Sequence, residues 1–190
     1  METYKIIDML CKGNPDAYAV IKGSGINGLL LVYGYETGCV LVIEANGLSN
    51  TDCNQGIHGL HIHEGKKCMG TKDNPFSDAG GHFNMNECLH PYHNGDLPPL
   101  FSKDGMAWMA VYINKFTVND IIGRTIIIHE KKDDLTSQPS GNAGKMIACG
   151  EIIDIYHKCL RSYFEVHAII QQLHEGSTGT SSWGPDNPEG

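Results

Sequence analysis

The sequence predicts an all-β domain of short antiparallel strands, and three observations favour this fold class. The chain of 190 residues contains 23 glycines and 8 prolines, which are many for a helical protein. Its apolar residues fall in short runs separated by glycine-rich turns, which is typical of strands. The first runs are joined by short connections, which favours an antiparallel meander. A hydrophobic fraction of 41% and a charged fraction of 19% exclude wholesale disorder.

The predicted strands follow one another from residue 17 and are rich in Val, Ile, Leu and Tyr. They cover residues 17–22, 28–35, 39–45, 59–64, 106–113, 125–130 and 145–155. Two long irregular stretches, residues 65–103 and 131–144, lie among them. Irregular stretches of this length inside a compact domain are usually functional or disordered. The first one contains several histidines, so we expect function there.

Both ends of the chain differ from the central part, which we place at residues 17–155. Residues 1–16 form an N-terminal extension that lacks the cleavage site of a secretory signal, so we expect a cytoplasmic protein. Apolar residues at steps of three and four predict an amphipathic C-terminal helix over residues 156–176. Residues 177–190, with their serines, threonines and prolines, predict a flexible tail.

Charge and cysteine content exclude several classes of protein. The chain has 22 acidic and 14 basic residues, a net charge of −8 and no stripe of Lys and Arg, which argues against nucleic acid and anionic membranes as partners. No apolar run approaches the roughly 20 residues of a membrane-spanning helix. The 7 cysteines are odd in number and form no CxxC pair, which argues against a zinc ribbon, a thioredoxin-like motif and a full disulfide framework.

The histidines point to a metal site. His61 and His63 are two residues apart on a predicted strand, so both side chains leave the same face and can share one ion. A single histidine is more often a core or surface residue, but the whole set supplies donors for two separate ions. Three imidazoles with a carboxylate suit tetrahedral Zn²⁺, and a site of imidazoles alone suits Cu²⁺. The remaining candidate ligands are His82, His90, His93, Asp96 and His129.

Six blocks of sequence, in the right order, resemble the copper/zinc superoxide dismutases. The resemblance runs from about residue 17 to residue 155, and the loops look like those of bacterial members. The blocks are Gly59-Leu60-His61-Ile62-His63-Glu64, Ala79-Gly80-Gly81-His82-Phe83-Asn84, His93-Asn94-Gly95-Asp96-Leu97, residues 121–130, Asp133-Asp134-Leu135, and Gly141-Asn142-Ala143-Gly144 followed by Ala148-Cys149-Gly150.

The resemblance implies a flattened eight-stranded Greek-key β-barrel with long metal-binding loops, to which the predicted C-terminal helix is appended. It also implies a superoxide dismutase that uses copper and zinc and converts superoxide to dioxygen and hydrogen peroxide. The implied catalytic residues are the copper ligands His61, His63, His82 and His129. The implied zinc ligands are His82, His90, His93 and Asp96, so that His82 bridges the two ions.

Two further assignments rest on the resemblance. Asp133 occupies the position of a carboxylate that accepts hydrogen bonds from a copper ligand, His61, and a zinc ligand, His90, and so orients both rings. Cys68 and Cys149 match the disulfide of the family. The other five cysteines are then expected to be unpaired thiols.

One position departs from the family pattern. The arginine that lies beside copper in the family, and that guides superoxide, is Met146 here. Lys145 is adjacent, but neighbours on a strand point to opposite faces, so we expect it to be a poor substitute. Weaker steering could come from Lys66, Lys67, Lys131 and Lys132. A slower enzyme than is typical of the family is the expected consequence.

Two other functions stay open at this point. The first is a non-enzymatic copper- and zinc-binding protein of the same fold, which Met146 motivates and the complete ligand set opposes. The second is an interaction module whose C-terminal helix mediates assembly. That helix also suggests a homo-oligomer, because its apolar stripe must be buried somewhere.

Overall fold

The computed structural model describes residues 3–48 and 56–155. The predicted C-terminal helix, residues 156–176, and the predicted tail, residues 177–190, lie outside these ranges. Within them the chain begins with helix α1 (Thr3–Lys12) and continues as β1 (Ala17–Gly23), β2 (Asn27–Tyr35), β3 (Gly38–Asn46), β4 (Ile57–His58), β5 (Leu60–His63), β6 (Leu100–Lys103), β7 (Met106–Ile113), helix α2 (Val118–Ile121), β8 (Thr125–His129), β9 (Met146–Glu151) and β10 (Ile153–Asp154).

The strands form one antiparallel sheet that curls into a nearly closed barrel. Along the sheet the order is β4-β6-β7-β3-β2-β1-β9-β8-β5, and β10 pairs with β1. The two ends of this order, β4 and β5, are separated in the chain by Gly59 alone, so the barrel almost closes there. Strands β9 and β10 are likewise split by a single residue, Ile152. Counting each split pair as one strand gives the eight strands expected, and the predicted fold class is confirmed.

Side chains along each strand point alternately into and out of the barrel, which explains both the core residues and the position of the histidines. Leu60 and Ile62 of β5 and Ile126 and Ile128 of β8 are fully buried and pack in the barrel core. Burying one such side chain contributes about 1.5–3 kcal/mol to folding. The alternate residues of the same strands therefore point out of the barrel, and on β5 these are the two histidines.

Two elements differ from the sequence prediction. The stretch at residues 65–103, predicted to be irregular, ends in β6, which pairs with β7 through a two-residue turn. Asp104 and Gly105 both have positive φ in this turn, and that combination closes a type I′ hairpin. Residues 3–12, for which no helix was predicted, form α1, whose residues are all at least partly exposed. No helix in the described ranges is long and apolar enough to cross a membrane.

Candidate metal centre

The first cluster of histidines lies on the outer face of the barrel where β5 and β8 pair. His61 lies opposite Ile127 and His63 opposite Thr125, while His129 ends β8 at an irregularity in the β8–β9 register. All three side chains are buried. Together with His82 they bring four ring nitrogens within 4.8 Å of one another. The sequence pattern predicted this grouping for His61 and His63, and the family resemblance implied it for His82 and His129.

Hydrogen bonds on the far side of each ring select the nitrogen that faces the cluster. His63 donates from Nδ1 to the carbonyl oxygen of Gly80 at 2.9 Å, and His129 donates from Nδ1 to that of Gly144 at 3.3 Å. The two Nε2 atoms are therefore turned inward and lie 3.4 Å apart. His61 instead uses Nε2, which lies 2.8 Å from Asp133 Oδ2, and leaves its Nδ1 facing inward.

The second cluster is carried by a loop. His82, His90, His93 and Asp96 are all buried, and one ligand atom from each lies within 4.8 Å of the others. His93 and Asp96 lie in a turn, residues 93–96, in which the backbone N–H of His93 donates to Asp96 Oδ2 at 3.0 Å. The second oxygen of that carboxylate, Oδ1, lies 2.7 Å from His82 Nδ1. The four residues proposed as one set from the sequence are thus brought together.

His82 belongs to both clusters. Its Nδ1 faces the carboxylate of the second cluster, and its buried Nε2 has no hydrogen-bond partner in residues 3–48 and 56–155. The centre of its ring lies 3.9 Å from that of His61 and 5.0 Å from that of His63. The two nitrogens of one imidazole therefore point into two different clusters, which is the arrangement that a bridging ligand requires.

The donor set fits two metal ions. Among the described residues, four buried ring nitrogens make no hydrogen bond: His61 Nδ1, His82 Nε2, His90 Nδ1 and His93 Nδ1. The last two lie 3.1 and 3.3 Å from Asp96 Oδ2, at ion-pair distance but without hydrogen-bond geometry. Leaving one buried polar atom unpaired costs about 1–3 kcal/mol, so four such atoms at one place indicate a set of metal ligands. Neutral imidazoles suit both copper and zinc, and three imidazoles with a carboxylate are a common zinc set.

Burial keeps the imidazoles of His61, His63 and His129 uncharged at neutral pH. It lowers the pKa of His129 to about 3, and the neighbouring His61 and His82 act in the same direction. Burial also lowers the pKa of His61 and, further, that of His63. Because a metal ligand must be deprotonated, these imidazoles are ready to bind an ion at neutral pH.

Asp133 ties the two clusters together, as the resemblance implied. Its Oδ2 lies 2.8 Å from His61 Nε2 and its Oδ1 lies 2.9 Å from His90 Nε2. Burial alone would raise the pKa of this carboxyl, but hydrogen bonds from His61, the Leu135 N–H and His90 hold it below its usual value. Gly141 packs directly against Asp133 with φ of +66°, and a Cβ there would lie 2.7 Å from His90 Nε2. A side chain at position 141 would displace the carboxylate.

The disulfide implied by the resemblance is present. Cys68, in the loop before His82, is bonded to Cys149 of β9. The loop is held further by a hydrogen bond of 3.1 Å from the Cys68 N–H to Glu151 Oε1. Among the described residues Cys11, Cys39 and Cys88 are free thiols, as expected. Cys53 and Cys159 lie outside the described ranges.

A cavity of about 680 Å³ is lined by three residues of the first cluster, His63, His82 and His129, and by His93 of the second. Met146 lines it, together with His63 and His129. Contrary to the prediction, Lys145 lines it too, because β9 begins only at Met146 and the strand alternation does not extend to Lys145. Among its described lining residues Lys145 is the one Lys or Arg, against two acidic residues, Glu64 and Asp73.

The other lysines suggested for steering do not line this cavity. Lys67 forms an ion pair of 3.1 Å with Glu151 instead. Lys66, Lys131 and Lys132 are exposed outside the lining.

Sequence reasoning missed two residues that position ligands. His58, which is 2% exposed, lies with Nδ1 3.0 Å from the carbonyl oxygen of His129. Gln138 exchanges two hydrogen bonds with the backbone of His90, at 3.0 and 2.7 Å. The high density of histidines from position 58 onward was a signal for the first residue, but nothing in the sequence pattern marked the second.

Comparisons with known proteins identify relatives of the chain. The sequence model of the copper/zinc superoxide dismutases matches residues 34–152. Superoxide dismutase [Cu-Zn] 4 of Dictyostelium discoideum is 32% identical over 157 residues, which cover 73% of this chain and 98% of that protein. Superoxide dismutase [Cu-Zn] of Deinococcus radiodurans is 34% identical over 131 residues, covering 60% of this chain and 69% of that protein.

A solved structure of a known protein is also similar to this chain. The Cu/Zn superoxide dismutase from Brucella abortus superposes with a TM-score of 0.62 at 26% identity, over 71% of this chain and 98% of that one. Sequence relatives, barrel and paired histidine clusters lead to the same conclusion: the chain belongs to the copper/zinc superoxide dismutase family.

Proposed function

We propose that this chain is a superoxide dismutase in which copper occupies the first cluster and zinc the second. The observation that carries the proposal is the ring of His82, whose two nitrogens face the two clusters. In this assignment copper would be held by His61 Nδ1, His63 Nε2, His82 Nε2 and His129 Nε2. Zinc would be held by His82 Nδ1, His90 Nδ1, His93 Nδ1 and a carboxylate oxygen of Asp96.

The net reaction takes two superoxide anions and two protons to dioxygen and hydrogen peroxide. Bound copper supplies one-electron redox chemistry between its two oxidation states, and bound zinc supplies fixed positive charge. The protein has to orient the ligands, admit a small anion and deliver protons. Asp133 serves the first task by holding the rings of His61 and His90.

His82 serves proton delivery. Its Nε2 lies beside the cavity and has no hydrogen-bond partner among the described residues. This atom could carry a proton only while it is not bound to copper. A proton held there would then have the departing peroxide as its acceptor, which is general acid catalysis by a ligand. Its Nδ1 lies 2.7 Å from Asp96 Oδ1 and would be held there by zinc, so the ring can keep its position as the proton leaves.

The test compares the full-length protein, reconstituted with both metals, with a His82→Ala variant. We expect superoxide consumption well above that of free copper ions for the wild type and a loss of about 100-fold or more for the variant, the scale of a lost general acid. The variant should still bind copper through its three other histidines. Tyr92→Ala is the matched control, because this exposed residue lies in the same loop and contributes no atom to either cluster. Wild-type protein no more active than free copper would contradict the proposal.

A non-enzymatic copper- and zinc-binding protein is the second candidate. The position of Met146 favours it, because a thioether in the cavity cannot attract an anion as a cation does. The shared ring of His82 opposes it, since a storage protein has no use for a bridging imidazole. The same activity measurement separates the two.

Two finer features are also proposed. The first is a homo-oligomer formed through residues 156–176. Deleting residues 156–190 should then change the number of subunits in the assembly and leave the metal content of each chain unchanged. Loss of copper in the truncated protein would contradict this. A cytoplasmic location is proposed as well, and cell fractionation tests it.

A further inference from the structure

The turn that carries His93 and Asp96, residues 93–96, is held from outside by a single lysine. Lys115 lies between β7 and α2, more than 15 positions away in the sequence. Its Nζ donates to the backbone carbonyl oxygens of His93 and Asp96, both at 3.2 Å. One ammonium group thus spans the first and last residues of the turn.

The contact also runs in the opposite direction. Asn94, inside the turn and 5% exposed, donates from Nδ2 to the carbonyl oxygen of Lys115 at 2.8 Å. Its Oδ1 accepts a hydrogen bond of 2.8 Å from the N–H of Met85. The turn is therefore joined to the Lys115 segment by hydrogen bonds from both partners, and to the chain after His82 by another.

The segment that supplies Lys115 is itself anchored in the core. The next residue, Phe116, is 3% exposed and belongs to the barrel core. Its ring centre lies 6.4 Å from that of Phe83, the residue after His82. The lysine therefore reaches the turn from a fixed base.

We infer that Lys115 is a positioning residue that holds His93 and Asp96 in the conformation that binds zinc. An ammonium group has three donors, and hydrogen bonds from an ionised donor are about twice as strong as neutral ones. Without it, the turn must be ordered at the expense of the binding free energy of the ion. The inference rests on the proposed assignment of zinc to the second cluster.

The experiment measures metal affinity in the full-length protein, by competition with a chromophoric chelator. Lys115→Met keeps the length and apolar stem of the side chain and removes the donors. We expect its zinc Kd to rise about tenfold, the lower end of the range for groups that support metal ligands. The copper Kd at the first cluster should change less than about twofold, because Lys115 touches no residue found only in that cluster.

Two further variants keep the result interpretable. Lys103→Met removes an exposed lysine at the end of β6 and should leave the zinc Kd unchanged. Lys115→Arg retains donors and should stay close to the wild type. Co²⁺ bound in place of zinc should show a shifted visible spectrum in Lys115→Met alone, because its absorption depends on ligand geometry.

Three results would overturn the inference. The first is a zinc Kd of Lys115→Met within about twofold of that of Lys103→Met. The second is an equal loss of copper and zinc affinity, which would indicate damage to the whole fold. A wild-type chain that binds no zinc would overturn the site assignment and the role of Lys115 together, and so differs from a failure of Lys115 alone.

Discussion

The two metal clusters share one histidine but are built in different ways. Apart from His82, the first cluster stands on β5 and at the end of β8, where the backbone ladder sets the spacing of its ligands. The second lies in a loop, where side chains set it: Asp133 and Gln138 contact His90, and Lys115 contacts the turn. The first cluster is therefore organised by the barrel itself, whereas the second depends on contacts from distant segments.

Replacing Asp133 should change the metal affinities most, because this residue supports one ligand in each cluster. Asp133→Ala should lower the affinity for zinc and for copper by about 10- to 100-fold, the usual cost of losing a group that orients metal ligands. The second cluster should lose more affinity than the first, since His90 lies in a loop and no strand fixes its position. Titration of both metals against a competing chelator measures the two losses separately.

Asp134→Ala is the matched control for this prediction. Asp134 is the neighbouring acid, and its side chain caps Thr136 and Ser137 without contacting either cluster. Its removal should change neither affinity by more than about twofold. An Asp133→Ala protein with wild-type zinc affinity would show that the loop orders itself.

The stability of the metal-free protein should depend on pH through the first cluster. At pH 7 His129 is neutral in both folded and unfolded protein. Between about pH 6.5 and its folded pKa of about 3, the unfolded chain binds a proton that the folded chain does not. The free energy of unfolding therefore decreases as the pH is lowered through this range, by about 1.4 kcal/mol per pH unit for each such histidine.

Urea unfolding at pH 7.5 and pH 5.5 measures this slope, and His129→Gln should reduce it. Asp133 and Asp96, whose pKa values are lowered, lose their stabilising effect only below about pH 4 and do not enter this window. Metal-free protein that is equally stable at both pH values would contradict the burial argument.

Charge in the cavity should have the smallest effect, because it acts on the approach of the substrate rather than on a metal ligand. Met146→Arg should raise the second-order rate by up to about tenfold at low salt and make that rate fall more steeply with ionic strength. Lys145→Met should have the opposite effect, since Lys145 is the one Lys or Arg among the described lining residues. Met146→Leu is the neutral control. Unchanged rates in both charge variants would mean that neither side chain guides the substrate.

Much of the barrel could be predicted from the sequence, because its strands are apolar runs bounded by glycine. β6 could not, since Leu100–Lys103 is short and follows two prolines, and its pairing depends on the neighbouring hairpin strand. α1 was not predicted, because residues 1–16 were described only as an N-terminal extension without a cleavage site. In the structure Asp8 forms an ion pair with Lys12, four residues on, which is compatible with a helix.

The ligands of the site were easier to predict from the sequence than the residues that support them. The spacing of His61 and His63 gives a shared face directly, because strands alternate. The role of Asp133 could not be predicted from its local sequence, since it is one acid among several in a loop, and only the family resemblance singled it out. Lys115 had no signal of either kind, because its contact depends on two distant segments meeting in three dimensions.

The central claim is that the ring of His82 lies between two different metal ions. Crystals of the protein loaded with both metals, measured with X-rays on either side of the copper and zinc absorption edges, test it most directly. The account predicts a copper peak near His82 Nε2, among the rings of His61, His63 and His129, and a separate zinc peak near His82 Nδ1. A ring in contact with one ion only, or the same metal at both positions, would contradict it.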